Sequence, residues 1–287
     1  GFNNIETITR DDIDKSIDEK LKRANFIYHL AGINRPENDD EFKTGNTDLT
    51  QKIVDTLINN ECNTPILFTS SIQAQLNNPY GISKLRAESA IISYKKNTGS
   101  SAYIFRLPNV FGKWSRPNYN SAVATFCYNT INDLPITIHN ADAPLSLVYI
   151  DDVCQSFVNL LTTTHPDPEV YYQVQPVYNT TVGAVVSLLS DFKQSRSSLI
   201  TSKVGVGFER SLYSTYLSYY KPSQFIYDLP SYTDERGSFC EMLKTTDSGQ
   251  FSFFTAHPGI TRGGHYHHSK NEKFLVLKGD ACFKFKH

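Results

Sequence analysis

The chain has 287 residues, room for one large domain or two, and its 28 basic and 29 acidic side chains leave a net charge of −1. That balance excludes the basic surface a nucleic acid or an anionic membrane would require, and no apolar run is long enough to span a bilayer. The five cysteines are scattered with no C-x-x-C pair, which fits free thiols in a reducing, cytoplasmic setting better than a disulfide framework.

No signal-peptide pattern opens the chain, and Gly1 in place of a methionine suggests a missing N-terminal piece. Residues 25–30 (Asn-Phe-Ile-Tyr-His-Leu) read as a buried strand and residues 49–59 as an amphipathic helix. Residues 65–70 (Pro-Ile-Leu-Phe-Thr-Ser) predict a second strand, residues 84–96 a second helix, and residues 102–107 (Ala-Tyr-Ile-Phe-Arg-Leu) a third strand. Strands separated by helices predict an α/β fold, a doubly wound parallel sheet covered on both faces. After about Ser218 the helical period stops. Residues 225–287 show short alternating runs broken by glycine, as in 249–255 and 273–279, which is all-β patterning. A junction at Tyr219-Tyr-Lys-Pro-Ser223 divides the chain into residues 1–222 and 223–287.

Tyr80 and Lys84 stand four residues apart at the start of a helix and so share a face. A free phenol titrates near ~10. A nearby ammonium favours phenolate and makes the tyrosine a usable proton donor to a carbonyl oxygen. Ser71, at the end of the preceding strand, can hold the same oxygen. The spacing alone also fits a half-buried tyrosine beside a solvated lysine. Here it stands with His29-Leu-Ala-Gly32 upstream and with Arg106-Leu-Pro-Asn109-Val-Phe-Gly112 and Tyr149-Ile-Asp-Asp152-Val downstream.

In that order the set resembles the extended short-chain dehydrogenase/reductase family of nucleotide-sugar epimerases, dehydratases and reductases, over roughly residues 1–220. The resemblance implies a Rossmann-like fold with Ser71, Tyr80 and Lys84 as the catalytic set. Lys84 and Tyr80 would also face the nicotinamide ribose, Leu30, Ala31, Gly32 and Leu107 would line the cofactor, and Asn109 would face the sugar nucleotide. Such enzymes open with a strand and a glycine-rich phosphate loop. Neither is present here, so the chain is expected to start near the second strand, ending about Thr7-Ile-Thr-Arg10. Arg10 there suits the 2′-phosphate of NADP, or is a solvated surface arginine.

The spacing Gly259-x5-His265-x-His267-x4-Glu272-x6-Gly279 resembles the first motif of the cupins. Alternation along a strand would turn His265 and His267 to one face and His268 to the other. Two imidazoles and the Glu272 carboxylate suit several divalent ions, zinc being the one expected, and a histidine-rich loop without metal is the bland alternative. The fourth ligand would lie beyond His287, so the barrel is expected to be partial.

Tyr232-Thr-Asp-Glu-Arg236-Gly-Ser-Phe239-Cys-Glu241 with Arg262-Gly-Gly-His265 also looks like the deoxysugar 3,5-epimerase branch of the cupins. By that resemblance His265 is a base, a role that competes with metal ligation. Arg236 and Arg262 would anchor a diphosphate, or form structural ion pairs.

A reductase fused ahead of a metal cupin resembles the CapF/WbjC family of bacterial capsule and O-antigen enzymes, nearly end to end. Ala31-Gly-Ile-Asn-Arg-Pro36, Pro117-Asn-Tyr-Asn-Ser121 and Asn271-Glu-Lys-Phe-Leu-Val276 are among the matching stretches. That family implies a UDP-linked 2-acetamido-2,6-dideoxy-4-hexulose as substrate. It implies C3 epimerisation by the cupin, NADPH reduction at C4 to UDP-2-acetamido-2,6-dideoxy-L-talose towards UDP-N-acetyl-L-fucosamine, and a homodimer. The alternatives are a redox-neutral NAD-dependent epimerase or dehydratase with a structural cupin, and an inactive, poorly soluble gene fragment. Against dehydration, Ser71 is followed by Ile72-Gln73-Ala74, where a 4,6-dehydratase places an Asp-Glu pair.

Overall fold

The computed structural model describes residues 4–285, apart from residues 10, 13, 163–168 and 248 and the side chains of 14 and 15. The chain divides into two compact units, Gly1–Tyr227 and Asp228–His287. Residues 219–227 stay with the first because Arg196 packs over the rings of Tyr220 and Tyr227, at 4.2 and 5.0 Å.

In the first unit, helix α1 (Asp14–Arg23) leads to strand β1 (Ile27–His29). A continuous helical stretch follows: α2 (Asp40–Phe42), a π-helical turn (Lys43–Asp48) and α3 (Leu49–Asn59). Strand β2 (Ile66–Ser71), a 3-10 turn (Ile72–Gln75), helix α4 (Pro79–Thr98) and strand β3 (Ala102–Leu107) come next. Then come β4 (Asn109–Phe111), α5 (Ala122–Ile131), β5 (Pro144–Tyr149), α6 (Ile150–Asn159), β6 (Tyr171–Tyr172), β7 (Tyr178–Thr181), α7 (Val182–Ser198) and α8 (Gly207–Leu217). The main sheet is parallel, in the order β1-β2-β3-β6. A smaller sheet, β4-β5-β7, joins β4 and β5 in parallel and β5 and β7 antiparallel.

Alternation along β2 and β3 builds two cores. Ile66, Phe68, Ala102 and Ile104 face one side, where Leu21, Val54, Leu57, Ile91 and Tyr94 of α1, α3 and α4 cover them. Leu67, Tyr103 and Phe105 face the other, against Val153 and Phe157 of α6. A sheet buried on both faces is the Rossmann-like arrangement the alternating pattern predicts, and each buried Leu, Ile or Phe contributes about 1.5–3 kcal/mol.

Helix α4 starts five residues before the sequence pattern suggests, because its capping residues lie outside the periodic stretch. Asn78 accepts a hydrogen bond from the Gly81 amide (2.8 Å) and Pro79 fills the first turn. It ends at Gly99, whose φ of 73° is the left-handed cap geometry that favours glycine.

Three expected strands do not form among the described residues. Residues 4–9 carry no strand. The Thr9 amide donates instead to the Asp12 carboxylate (2.7 Å), which also meets Lys20, and the chain turns into α1. In the second unit β8 (Ser231–Asp234), β9 (Gly237–Thr245) and β10 (Gly249–Phe254) form an antiparallel sheet in the order β10-β9-β8. Residues 255–285, including 265–267 and 273–279, are irregular. A strand exists only through its ladder, and the backbone of this alternating stretch finds no ladder partner among the described residues.

Candidate active site

Three short connections bring the first site together at the C-terminal edge of the main parallel sheet, where open α/β sheets place their ligands. Ser71 ends β2 and caps the 3-10 turn, accepting from the Gln73 amide at 3.2 Å. Tyr80 follows Pro79 in the first turn of α4, its ring 5.6 Å from that of Phe42. Lys84, one turn on, is buried; its Nζ donates to the Thr69 carbonyl (3.0 Å) and lies 4.9 Å from the centre of the Phe68 ring.

Burial lowers the Lys84 amine to about 8, and the Glu88 charge opposes that fall. Burial also lifts the Tyr80 phenol above its ordinary value, while its hydrogen bond with Ser71 pulls it back. The expected lowering of Tyr80 by Lys84 is not seen: burial sets the direction, and the opposing pull comes from Ser71. A phenol that stays protonated at neutral pH is in the correct state to donate a proton, and Ser71 and Lys84 are the groups able to stabilise the phenolate it would leave.

Leu30, Ala31 and Gly32 follow β1 and are exposed. A side chain at Gly32 would meet Asn46 Oδ1 at 2.8 Å and Lys84 Nζ at 3.0 Å, so a bare backbone borders the lysine there. Leu107 ends β3 half-buried, and Asn109 opens β4 exposed, its Nδ2 donating to the Ser146 carbonyl at 3.3 Å. Arg10 lies outside the described residues.

Several residues that build this corner were given no role by the sequence. Asn46, in the π turn, accepts from the Ile33 amide (2.8 Å) and donates to the Ile33 carbonyl (2.9 Å) and the Ser83 hydroxyl (3.0 Å), tying the loop after β1 to α4. His29 Nε2 meets Thr50 Oγ1 at 2.8 Å. Burial, aided by the Lys84 charge, lowers that imidazole to about 3, so it is neutral. Buried Glu88, one turn beyond Lys84, pairs with half-buried Arg106. His29 and Arg106 stand within the motif stretches without a role of their own, and Glu88 continues the four-residue spacing of Tyr80 and Lys84.

The second unit holds the other cluster. The ligand atoms of His265, His267 and Glu272 all lie within 4.8 Å of one another. His267 Nε2 is 3.2 Å and His265 Nε2 3.7 Å from Glu272 Oε1, and the two imidazole rings are 4.9 Å apart. Two nitrogens and a carboxylate oxygen converging in this way fit one divalent ion as a donor set. Both arginines engage Asp234: Arg236 donates through Nε (2.9 Å) and Nη2 (2.6 Å), and Arg262 Nη2 lies 3.7 Å from Oδ1. Arg262 packs 5.6 Å from the Phe254 ring centre, and its buried Nε has no hydrogen-bond partner.

The parallel sheet, together with the similarities that follow, defines an enzyme of the nucleotide-sugar reductase/epimerase class. Residues 2–172 match the model of the NAD dependent epimerase/dehydratase family, and residues 232–287 that of the polysaccharide biosynthesis C-terminal domain. A Pseudomonas aeruginosa protein described as UDP-2-acetamido-2,6-beta-L-arabino-hexul-4-ose reductase is 54% identical over 282 residues, 98% of this chain and 76% of its own length. The crystal structure of the capsular polysaccharide assembling protein CapF from Staphylococcus aureus superposes with a TM-score of 0.80 at 42% identity, covering 91% of this chain and 70% of that one. A UDP-glucuronic acid 4-epimerase from Bacillus cereus shares the fold, with a TM-score of 0.61 at 19% identity over 73% of this chain and 79% of that one. The chain belongs to the NAD dependent epimerase/dehydratase family and, within it, to the CapF/WbjC family of polysaccharide-biosynthesis enzymes. Membership implies a nicotinamide cofactor. Among the described residues no helix is long and apolar enough to cross a membrane.

Proposed function

We propose that the protein reduces the C4 ketone of a UDP-linked 2-acetamido-2,6-dideoxy-4-hexulose, giving UDP-2-acetamido-2,6-dideoxy-L-talose towards UDP-N-acetyl-L-fucosamine. The observation that carries this is the corner made by Ser71, Tyr80 and Lys84 beside the bare backbone of Gly32. Bound NADPH would supply the hydride. Leu30, Ala31, Gly32 and Leu107 would border it, with Arg10 towards a 2′-phosphate. Lys84 would hold the ribose and stabilise negative charge on Tyr80, Ser71 would orient the ketone oxygen, and Tyr80 would give that oxygen its proton. Asn109 would face the sugar nucleotide.

In the second unit, His265, His267 and Glu272 would hold a divalent metal, zinc being the first to test, which supplies Lewis acidity when bound. Epimerisation at C3 of the same keto sugar is the activity this unit would add, with Arg236 and Arg262 towards the diphosphate. An unligated His265 would serve as the base that takes the acidic proton beside the ketone. Two active units on one chain make a bifunctional enzyme, and we read the protein as a cytoplasmic homodimer.

The test follows NADPH oxidation with the UDP-linked 4-keto-6-deoxy sugar. Substrate-dependent oxidation that drops ~10²–10⁴-fold in Tyr80→Phe is the expected result. No oxidation by the unaltered protein would move the reading to a redox-neutral epimerase.

A further inference from the structure

Glu88 takes the spacing of Tyr80 and Lys84 one turn further along the same face of α4. It is completely buried, where an unpaired carboxylate is most costly. Four donors from three strands meet it. Oε1 accepts from the Ser70 hydroxyl on β2 and from Arg106 Nε on β3 (2.9 Å). Oε2 accepts from Arg106 Nη2 (2.6 Å) and from the Tyr171 hydroxyl on β6 (3.2 Å). Ser70 and Arg106 are register partners across β2 and β3, and the guanidinium packs 4.3 Å from the Tyr171 ring centre.

Lys84, on the turn before, is 5% exposed. Its own hydrogen bond goes to a neutral carbonyl, Thr69. The titratable groups that interact with it are Glu88 on α4 and His29 on β1, with Tyr80 one turn away on α4; β2 meets it through Phe68 and the Thr69 carbonyl, and Arg106 on β3 and Tyr171 on β6 meet Glu88 itself. His29 is neutral, and Glu88 is the one carboxylate in this set. The charge that acts on the Lys84 amine is that of Glu88, and it opposes the fall caused by burial.

We propose that Glu88 is a positioning residue, the buried counter-charge that keeps Lys84 an ammonium beside Tyr80, with Arg106, Ser70 and Tyr171 clamping the carboxylate in place. Its consequence for turnover rests on the reductase reading above; its effect on Lys84 does not.

The test therefore reads Lys84 directly. Acetic anhydride labels amines only when they are deprotonated, and mass spectrometry of the Lys84 peptide across a pH series gives its midpoint without substrate or cofactor. Glu88→Gln keeps the shape and removes the charge; its amide nitrogen can only donate, so one Arg106 bond is lost and the Ser70 or Tyr171 hydroxyl beside that nitrogen must turn to accept. The expected result is a midpoint shifted to lower pH by about one unit, with NADPH oxidation at neutral pH about twofold slower and lost further as the pH rises. A Lys84 midpoint that stays in place in folded Glu88→Gln, however slow the enzyme, overturns the proposal and leaves Glu88 as a tie between helix and sheet. Should Glu88→Gln fail to fold, Glu88→Gln with Arg106→Met removes both charges from the cavity; losing the cation offsets part of losing the carboxylate, so a smaller shift in the same direction is required of it, and no shift overturns the proposal. If the unaltered protein oxidises no NADPH, the reductase reading fails and the Lys84 midpoint still decides this one.

Discussion

The two units hold their chemistry in opposite ways. In the first, Lys84, His29 and Glu88 are all buried, Lys84 and His29 against the sealed Phe68 ring. In the second, His265, His267 and Glu272 are exposed, and the neighbouring apolar side chains Leu275 and Leu277 are 82% and 74% exposed. A site inside a core has its pKa values and rotamers set by desolvation and packing. A site on an exposed, irregular stretch is held mainly by contacts its own side chains make, here Glu272 between two histidines. The first is therefore sensitive to substitutions far along the chain, and the second chiefly to its own ligands.

The contrast can be broken most sharply in the core. Leu57→Ala is expected to destabilise the first unit by about 2–5 kcal/mol, read as a lower denaturation midpoint. Leu277→Ala is expected to change that midpoint by less than ~0.5 kcal/mol. Comparable losses for the two would end the distinction between the units.

His29 sharpens it through pH. Its imidazole is pushed down from about 6.5 to about 3 in the folded protein. Between those values the unfolded chain binds the extra proton, so stability is full above the unfolded value and falls as pH drops through this window. From pH 6.5 to 5 the expected loss is about 2 kcal/mol. His29→Gln should flatten that slope in denaturation curves taken across the range.

Asn78→Ala removes the cap of the helix that carries Tyr80 and Lys84, at a cost of about 1 kcal/mol. Its effect on NADPH oxidation should exceed its effect on stability, because Tyr80 stands in the first turn. The smallest expected effect on stability, and the most local, is that of His267→Ala. Metal retained through dialysis, measured by elemental analysis, should be lost from this variant with the denaturation midpoint of the first unit unmoved.

Much of this architecture was legible in the chain. Strand Ala102–Leu107 and helix Leu49–Asn59 lie where their periodicities place them, because each is a continuous local pattern with one buried face or two. Tyr80 and Lys84 were visible together because one helical turn separates them, and His265, His267 and Glu272 because a short stretch of sequence brings three ligands within reach. Less legible were the extra turn at the start of α4, set by Asn78 and Pro79, and the strands expected at 273–279 and before Arg10. A strand is a property of two segments, and one segment's alternation does not reveal whether a partner is present.

Short-range chemistry, then, was written into the order of the residues: which helix face carries the phenol and the amine, which loop gathers imidazoles. Long-range pairing was decided by the fold. Arg106 and Tyr171 reach Glu88 only because β2, β3 and β6 lie side by side, and Asn46 reaches Ser83 only because the π turn packs on α4. Burial follows from the same packing. It is burial that moves Lys84 to about 8 and holds His29 neutral, since desolvation penalises a charge according to everything around it.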